Sequence, residues 1–202
     1  MYARFYARLA RAEDSSGVAA HRRRLLAGLG GVVLEVGVGP GNSLRHYPRE
    51  VERLIAVEPE PTMRATAVEA ARGLALEVEL VEGTAEALPA ADDSVDAVVV
   101  SQVLCSVRDQ AQALAEARRV LRPGGELRVY EHVRSPRAAT RAIQKAFDAT
   151  VWPRMMGGCR LMRDTQGAIE EAGFAFREID HFSWGISPAA PHILGVATIS
   201  GP

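Results

Sequence analysis

A single α/β domain, built on a mostly parallel sheet with helices on both faces, is predicted by three observations. Apolar strand-like runs alternate with helical patterns, the first run enters a glycine-rich turn, and an acidic residue closes the second run about twenty residues further on. Length and composition agree with one domain. At 202 residues and 48% hydrophobic content, the chain can bury one substantial core, and no repeat, low-complexity tract or linker divides it.

The first predicted strand covers residues 32–36 and leads through VVLEVGVGPGN into Gly37, Gly39 and Gly41. Glycines at this spacing let the backbone turn tightly against a ligand before a helix begins. The dinucleotide fingerprint places its third glycine one residue later, where Asn42 stands, which disfavours a nicotinamide oxidoreductase. The second strand, 53–58, ends at Glu58, whose carboxylate can accept hydrogen bonds from both ribose hydroxyls. A helix follows over 61–71, with Pro61 at the permitted first turn. Strands at 76–82 and 95–101 precede a helix over 109–121, ended by Pro123, Gly124 and Gly125. The remaining strands are 125–133, 175–182 and 193–200, with a helix over 163–172 stopped at Gly173.

A formal net charge of −1, from 24 basic and 25 acidic residues, gives no field for nucleic acid or an anionic membrane and favours a small-molecule partner. The short basic run Arg22, Arg23, Arg24 is read as a solvated helix face. Only Cys105 and Cys159 are present, no signal peptide opens the sequence, and no apolar run approaches the ~20 residues of a membrane span. A cytoplasmic protein without an integral membrane segment is expected. Tyr2, Phe5, Tyr6 and Leu9 recur at helical spacing, so residues 1–30 are expected to form an N-terminal helical appendage.

With these motifs in place, the sequence resembles the class I S-adenosylmethionine-dependent methyltransferases. Their ExGxGxG motif stands here as Glu35, Gly37, Gly39 and Gly41, and DDSVDAVVV, LCSV, VLRPGG and EHV follow in the family's order. The likeness is greatest to the thiol S-methyltransferase branch, through SVDAVVVSQVLCSV (94–107), YEHV (130–133), GCRLMR (158–163) and PHILGVA (191–197). Members of that branch can carry a hydrophobic N-terminal anchor, whereas residues 1–24 here mix apolar groups with many arginines. The resemblance implies a Rossmann-like, doubly wound, seven-stranded sheet in the order 3-2-1-4-5-7-6, with the last strand antiparallel. It also implies S-adenosylmethionine as methyl donor and S-adenosylhomocysteine as product.

Site roles follow from the same likeness. Gly37, Gly39 and Gly41 would bring backbone close to the methionine portion, Glu58 would hold the ribose, and Glu35 would orient the donor's amino group through water or the loop. In the loop 83–89 relatives place an aspartate facing adenine; here Thr84 stands, so Ala85 would bind adenine by its backbone N–H and Thr84 by a weaker hydroxyl contact. Gln102, after the fourth strand, would contact the methionine portion or the acceptor, and His132, after the fifth, would orient or deprotonate the acceptor. Asp148, Trp152, Arg163 and Trp184 are candidates for shaping an acceptor chamber, while His181 and His192 are read as structural. Cys105 and Cys159 are read as packing residues that form neither a zinc site nor a redox pair, so no metal is expected. The expected activity is methyl transfer to a small molecule, with a thiol as the leading acceptor. Phospholipid N-methylation and noncatalytic cofactor binding are the alternatives, and the oligomeric state is left open.

Overall fold

The computed structural model describes residues 17–150, 152–185 and 188–200. Seven strands form one sheet: β1 (Gly31–Val36), β2 (Val51–Val57), β3 (Glu77–Val81), β4 (Val95–Ser101), β5 (Leu121–His132), β6 (Phe174–Ser183) and β7 (Pro191–Ile199). Their order is β3-β2-β1-β4-β5-β7-β6, with β7 antiparallel to both neighbours and the other pairings parallel, as the resemblance implied. The expected 1–30 segment is described only from Gly17 onward; Tyr2, Phe5, Tyr6 and Leu9 lie outside the described residues.

Strand alternation divides the core into two layers. Leu34, Val36, Ile55, Val57, Val98, Val100, Leu127 and Val129 face one side, packing with Leu114, Ala117 and Val120 of α3 (Gln110–Val120) and Ile169 of α6 (Thr165–Glu171). Val33, Leu54, Ala56, Val99 and Tyr130 face the other, against Leu25 and Leu26 of α1 (Ala19–Leu26) and Ala67 of α2 (Pro61–Ala71). The buried strands are therefore apolar on both faces, which is why they read as continuous hydrophobic runs.

Two helix starts are fixed by acidic caps. Glu60 accepts from the Met63 N–H at 2.7 Å before α2, and Asp109 from the Gln112 N–H at 3.1 Å before α3. The sequence placed the fifth strand at 125, but β5 begins at Leu121, paired with Val95. Pro123 and Gly124 lie inside it because a register shift between Val95 and Ala97 absorbs the extra residues. Between β5 and α6 the chain adds α4 (Ala138–Asp148) and the short α5 (Trp152–Met155), which the periodicity had not assigned.

Candidate active site

The turn after β1 is pinned before it meets any ligand. The N–H groups of Gly37 and Val38 donate to the Val57 carbonyl at 2.8 and 3.1 Å, tying the turn to the end of β2. Gly39 has φ +57°, and a Cβ there would meet no described atom within 4 Å, so its bare backbone faces open space. Gly41 is different: at φ +85° its Cβ would lie 3.0 Å from Ala70 Cβ and 3.1 Å from Ala67 Cα. It permits the close packing of the turn on α2, and it does not line the neighbouring cavity.

Glu58, buried at the tip of β2, clasps two segments. One carboxylate oxygen accepts the Gly39 N–H at 2.9 Å and the other accepts the Glu60 N–H at 3.0 Å. Burial raises its pKa, and the two backbone donors oppose that shift. Each oxygen keeps lone-pair capacity toward a cavity of about 410 Å³, which Glu58 lines with Gly37, Gly39, Thr84, Ala85, Gln102, Ser106 and Met156. That volume lies within the range of small-molecule sites, at the carboxyl end of the sheet where open α/β folds bind ligands.

Glu35 lies behind this surface. Its carboxylate accepts the Ser43 hydroxyl at 2.7 Å and the Tyr47 hydroxyl at 3.1 Å, and it does not line the cavity. Burial pushes its pKa up to about 6 against the pull of those hydroxyls. The structure thus sets Glu35 and Gly41 under the loop, while Gly37, Gly39, Glu58, Thr84, Ala85 and Gln102 share the cavity wall.

The opposite end of the cavity is assembled from distant segments. Gln102 holds a left-handed backbone, φ 59°, its N–H bound to the Tyr130 carbonyl at 2.7 Å, and its amide nitrogen lies 3.3 Å from His132 Nε2. Buried Glu131 accepts the N–H groups of Val103, Leu104 and Cys105 at 2.7, 2.9 and 3.2 Å, which fixes the loop after β4. Its pKa rises to about 7 through burial, with these three donors opposing. Sequence reasoning missed Glu131, although a glutamate between two strand-end aromatics, Tyr130 and His132, was a visible signal.

The cysteines are not separate packing residues. Cys159 Sγ lies 3.7 Å from His132 Nδ1, and the ligand atoms of Cys105, His132 and Cys159 all fall within 4.8 Å of one another. The hydrogen bond between the two thiols lowers the pKa of Cys159 and, together with burial, raises that of Cys105. Trp152, Met156 and Leu161 enclose the pair. Of the other expected acceptor residues, Asp148 caps the Leu161 and Met162 N–H groups, and Arg163 binds the Leu104 and Val107 carbonyls. Trp184 instead packs edge-on against His21 in the other core layer.

His181 bonds Gln166 at 2.8 Å on the surface. His192 is buried, bound to the Ala190 carbonyl, and pushed down to about 3 chiefly by burial. It lines a larger groove of about 820 Å³ with Val133, Arg137 and Phe182. The glycine turn and Glu58 do not reach that groove.

Strand order, glycine turn and buried strand-end acid define the doubly wound architecture that holds an adenosyl group at the carboxyl end of its sheet. The chain belongs to the S-adenosylmethionine-dependent methyltransferase family, and S-adenosylmethionine is its methyl donor. Residues 34–129 match the methyltransferase domain family. The chain is 35% identical over 182 residues to human thiol S-methyltransferase TMT1B, covering 85% of this chain and 73% of that protein. It is 33% identical over 172 residues to human thiol S-methyltransferase TMT1A, covering 82% and 69%. Among solved structures, a geranyl diphosphate methyltransferase in complex with S-adenosylmethionine superposes with a TM-score of 0.70 at 17% identity, covering 98% of this chain and 90% of that one. A Thermotoga maritima methyltransferase gives 0.66 at 22% identity, covering 99% and 100%. The residues present fit such a donor: bare backbone at Gly39, a two-oxygen acceptor at Glu58, and a cavity between them and Gln102.

Proposed function

We propose that this methyltransferase methylates the sulfur of a small, largely apolar thiol. The observation that carries this acceptor class is the far wall of the cavity. There Ser106 and Met156 are backed by the Cys105, Cys159 and Leu161 cluster, and His132 stands behind Gln102. Such a wall suits an acceptor that ionises largely by itself. A thiol with a pKa of about 8.5 is already a few per cent thiolate near neutral pH. The relatives named as thiol S-methyltransferases support the same class.

S-adenosylmethionine supplies an electrophilic methyl group, whose bond to the sulfonium breaks as the acceptor sulfur forms its own. The chain must hold the reactants in line and keep water out. In this proposal the Gly37 and Gly39 backbone receives the methionine portion and Glu58 accepts the ribose hydroxyls. The Ala85 N–H and Thr84 hydroxyl meet the adenine. Gln102 positions the reacting end, and His132 orients the thiol or takes its proton, which otherwise passes to solvent. Glu35 and Gly41 act from beneath, through Ser43 and through packing on α2.

The single seven-stranded sheet supports one catalytic domain. Two free cysteines support a reducing, cytoplasmic setting, and the balanced charge supports a small molecule over nucleic acid. Among the described residues no helix is long and apolar enough to cross a membrane.

An acceptor panel of thiols, phenols, amines and phospholipids, with isotopically labelled donor and mass spectrometry of the products, tests the proposal. S-methyl products are expected, at rates that rise as each thiol ionises. His132→Ala should lower turnover more than donor affinity. Exclusive O- or N-methylation would reject the thiol assignment and leave the methyltransferase family standing.

A further inference from the structure

Cys105 leaves the loop after β4, His132 ends β5, and Cys159 lies between α5 and α6, so three separate segments converge on one point. Both cysteines are free and buried, and His132 is half-buried. Their sulfurs and the His132 ring nitrogen fall within 4.8 Å of one another, with Cys159 Sγ 3.7 Å from Nδ1. A tetrahedral zinc ion with ordinary Zn–S and Zn–N bonds sets its sulfur and nitrogen ligands about 3.6 Å apart and two sulfurs about 3.8 Å apart. The observed spacing needs only a small contraction to meet both edges.

The supports of the cluster are rigid. The Cys105 N–H is held by Glu131, and its carbonyl accepts the Arg160 N–H at 2.8 Å, which links the two cysteine segments directly. Gly158 lies so close to the first loop that a Cβ would be 2.9 Å from the Ser106 carbonyl oxygen. On the far side of the imidazole, the Gln102 amide lies beside His132 Nε2. If Nδ1 binds a cation, the proton sits on Nε2, and the same amide, turned over, accepts it. A partner of this kind fixes ring orientation at metal-bound histidines.

We infer that Cys105, His132 and Cys159 form a binding site for a thiophilic divalent cation of the zinc type, with three protein ligands. Two thiolates and an imidazole select zinc-like ions over magnesium or calcium, which require oxygen ligands. Three protein ligands leave one tetrahedral position to a water or another small donor. The site stands whether or not sulfur is the methyl acceptor; with Nδ1 on the cation and Nε2–H toward Gln102, His132 orients the acceptor and the acceptor's proton passes to solvent.

Titration of the reduced full-length protein with cobalt(II), followed by zinc(II), tests the site directly. One equivalent of cobalt should produce a thiolate-to-cobalt charge-transfer band, and one equivalent of zinc should erase it. Cys159→Ser and His132→Gln should each weaken zinc binding at least about ten-fold, measured by competition with a chromophoric chelator. Zinc in excess should raise the melting temperature of the wild-type protein more than that of Cys159→Ser. Because Cys105 is fully enclosed, its serine variant is a secondary probe, and the wild-type cobalt spectrum stands without it. Absence of the charge-transfer band from reduced wild-type protein would overturn the inference, as would a band that survives in folded Cys159→Ser. Spontaneous closure of a Cys105–Cys159 disulfide that zinc does not prevent would also overturn it.

Discussion

The two ends of the cavity are built by different means. At the glycine end, backbone does most of the work, and its parts lie within one β-turn-β unit: Gly37, Gly39 and the single carboxylate of Glu58. At the other end, side chains from the loop after β4, from β5 and from the α5–α6 connection converge, and Glu131 holds the loop by three hydrogen bonds. The first end is specified by local sequence and tolerates little chemical change at a few positions. The second depends on long-range packing, so its integrity is coupled to the stability of the whole fold.

The sharpest way to break this contrast is Glu131→Ala. It strands two buried N–H groups and a part-buried third, and should lower unfolding free energy by about 3–5 kcal/mol, read from urea denaturation. A loss below 1 kcal/mol would show that the loop after β4 is held by packing alone. At the glycine end, Glu58→Ala should leave a folded protein but weaken S-adenosylmethionine and S-adenosylhomocysteine by about 1.5–3 kcal/mol, roughly ten- to over a hundred-fold. Calorimetry giving wild-type affinity in the folded variant would remove Glu58 from the ribose.

Glu35 sharpens the comparison through pH. Its folded pKa, raised to about 6 from 4.5, means that the native state holds a proton the unfolded chain has released. The associated stability is therefore complete below about 4.5 and is lost as pH rises through 6, a change of roughly 2 kcal/mol. Glu35→Gln should abolish this loss, so denaturation curves at pH 4.5 and 7 should separate wild type from variant only at the higher pH. Equal pH dependence in the two proteins would contradict the assignment. The smallest effect belongs to Gly39→Ala. Its positive φ should cost about 1 kcal/mol of stability without a clash, while the added methyl group intrudes on the cavity and reduces donor affinity. An alanine variant with undiminished donor affinity would move the ligand away from this turn.

The same asymmetry decides what was legible in the sequence. The glycine spacing and Glu58 are close enough in the chain for a pattern to reveal them, and every predicted strand occurs. β5 starts earlier than expected because pairing of Leu121 with Val95 outweighs the turn signal of Pro123 and Gly124. Glu35 and Gly41 sit where the motif puts them, but only packing shows that they face Ser43, Tyr47 and α2 instead of the cavity. Cys105, His132 and Cys159 could not be joined by spacing, since strand order alone brings their segments together. Trp184, one of the aromatics considered for the acceptor end, is drawn away by its edge-on contact with His21.

The double grip of Glu58 also has a kinetic meaning. Because one carboxylate already ties the Gly39 and Glu60 amides together, the glycine turn and the first turn of α2 are ordered before the donor arrives. Donor association then carries little entropic penalty for arranging the loop, and the encounter need not wait on a slow rearrangement. The Gly39 and Glu60 amides of the ligand-free protein should accordingly exchange with deuterium far more slowly than amides in an open loop, which makes the empty pocket a template and not a trap that closes on its ligand.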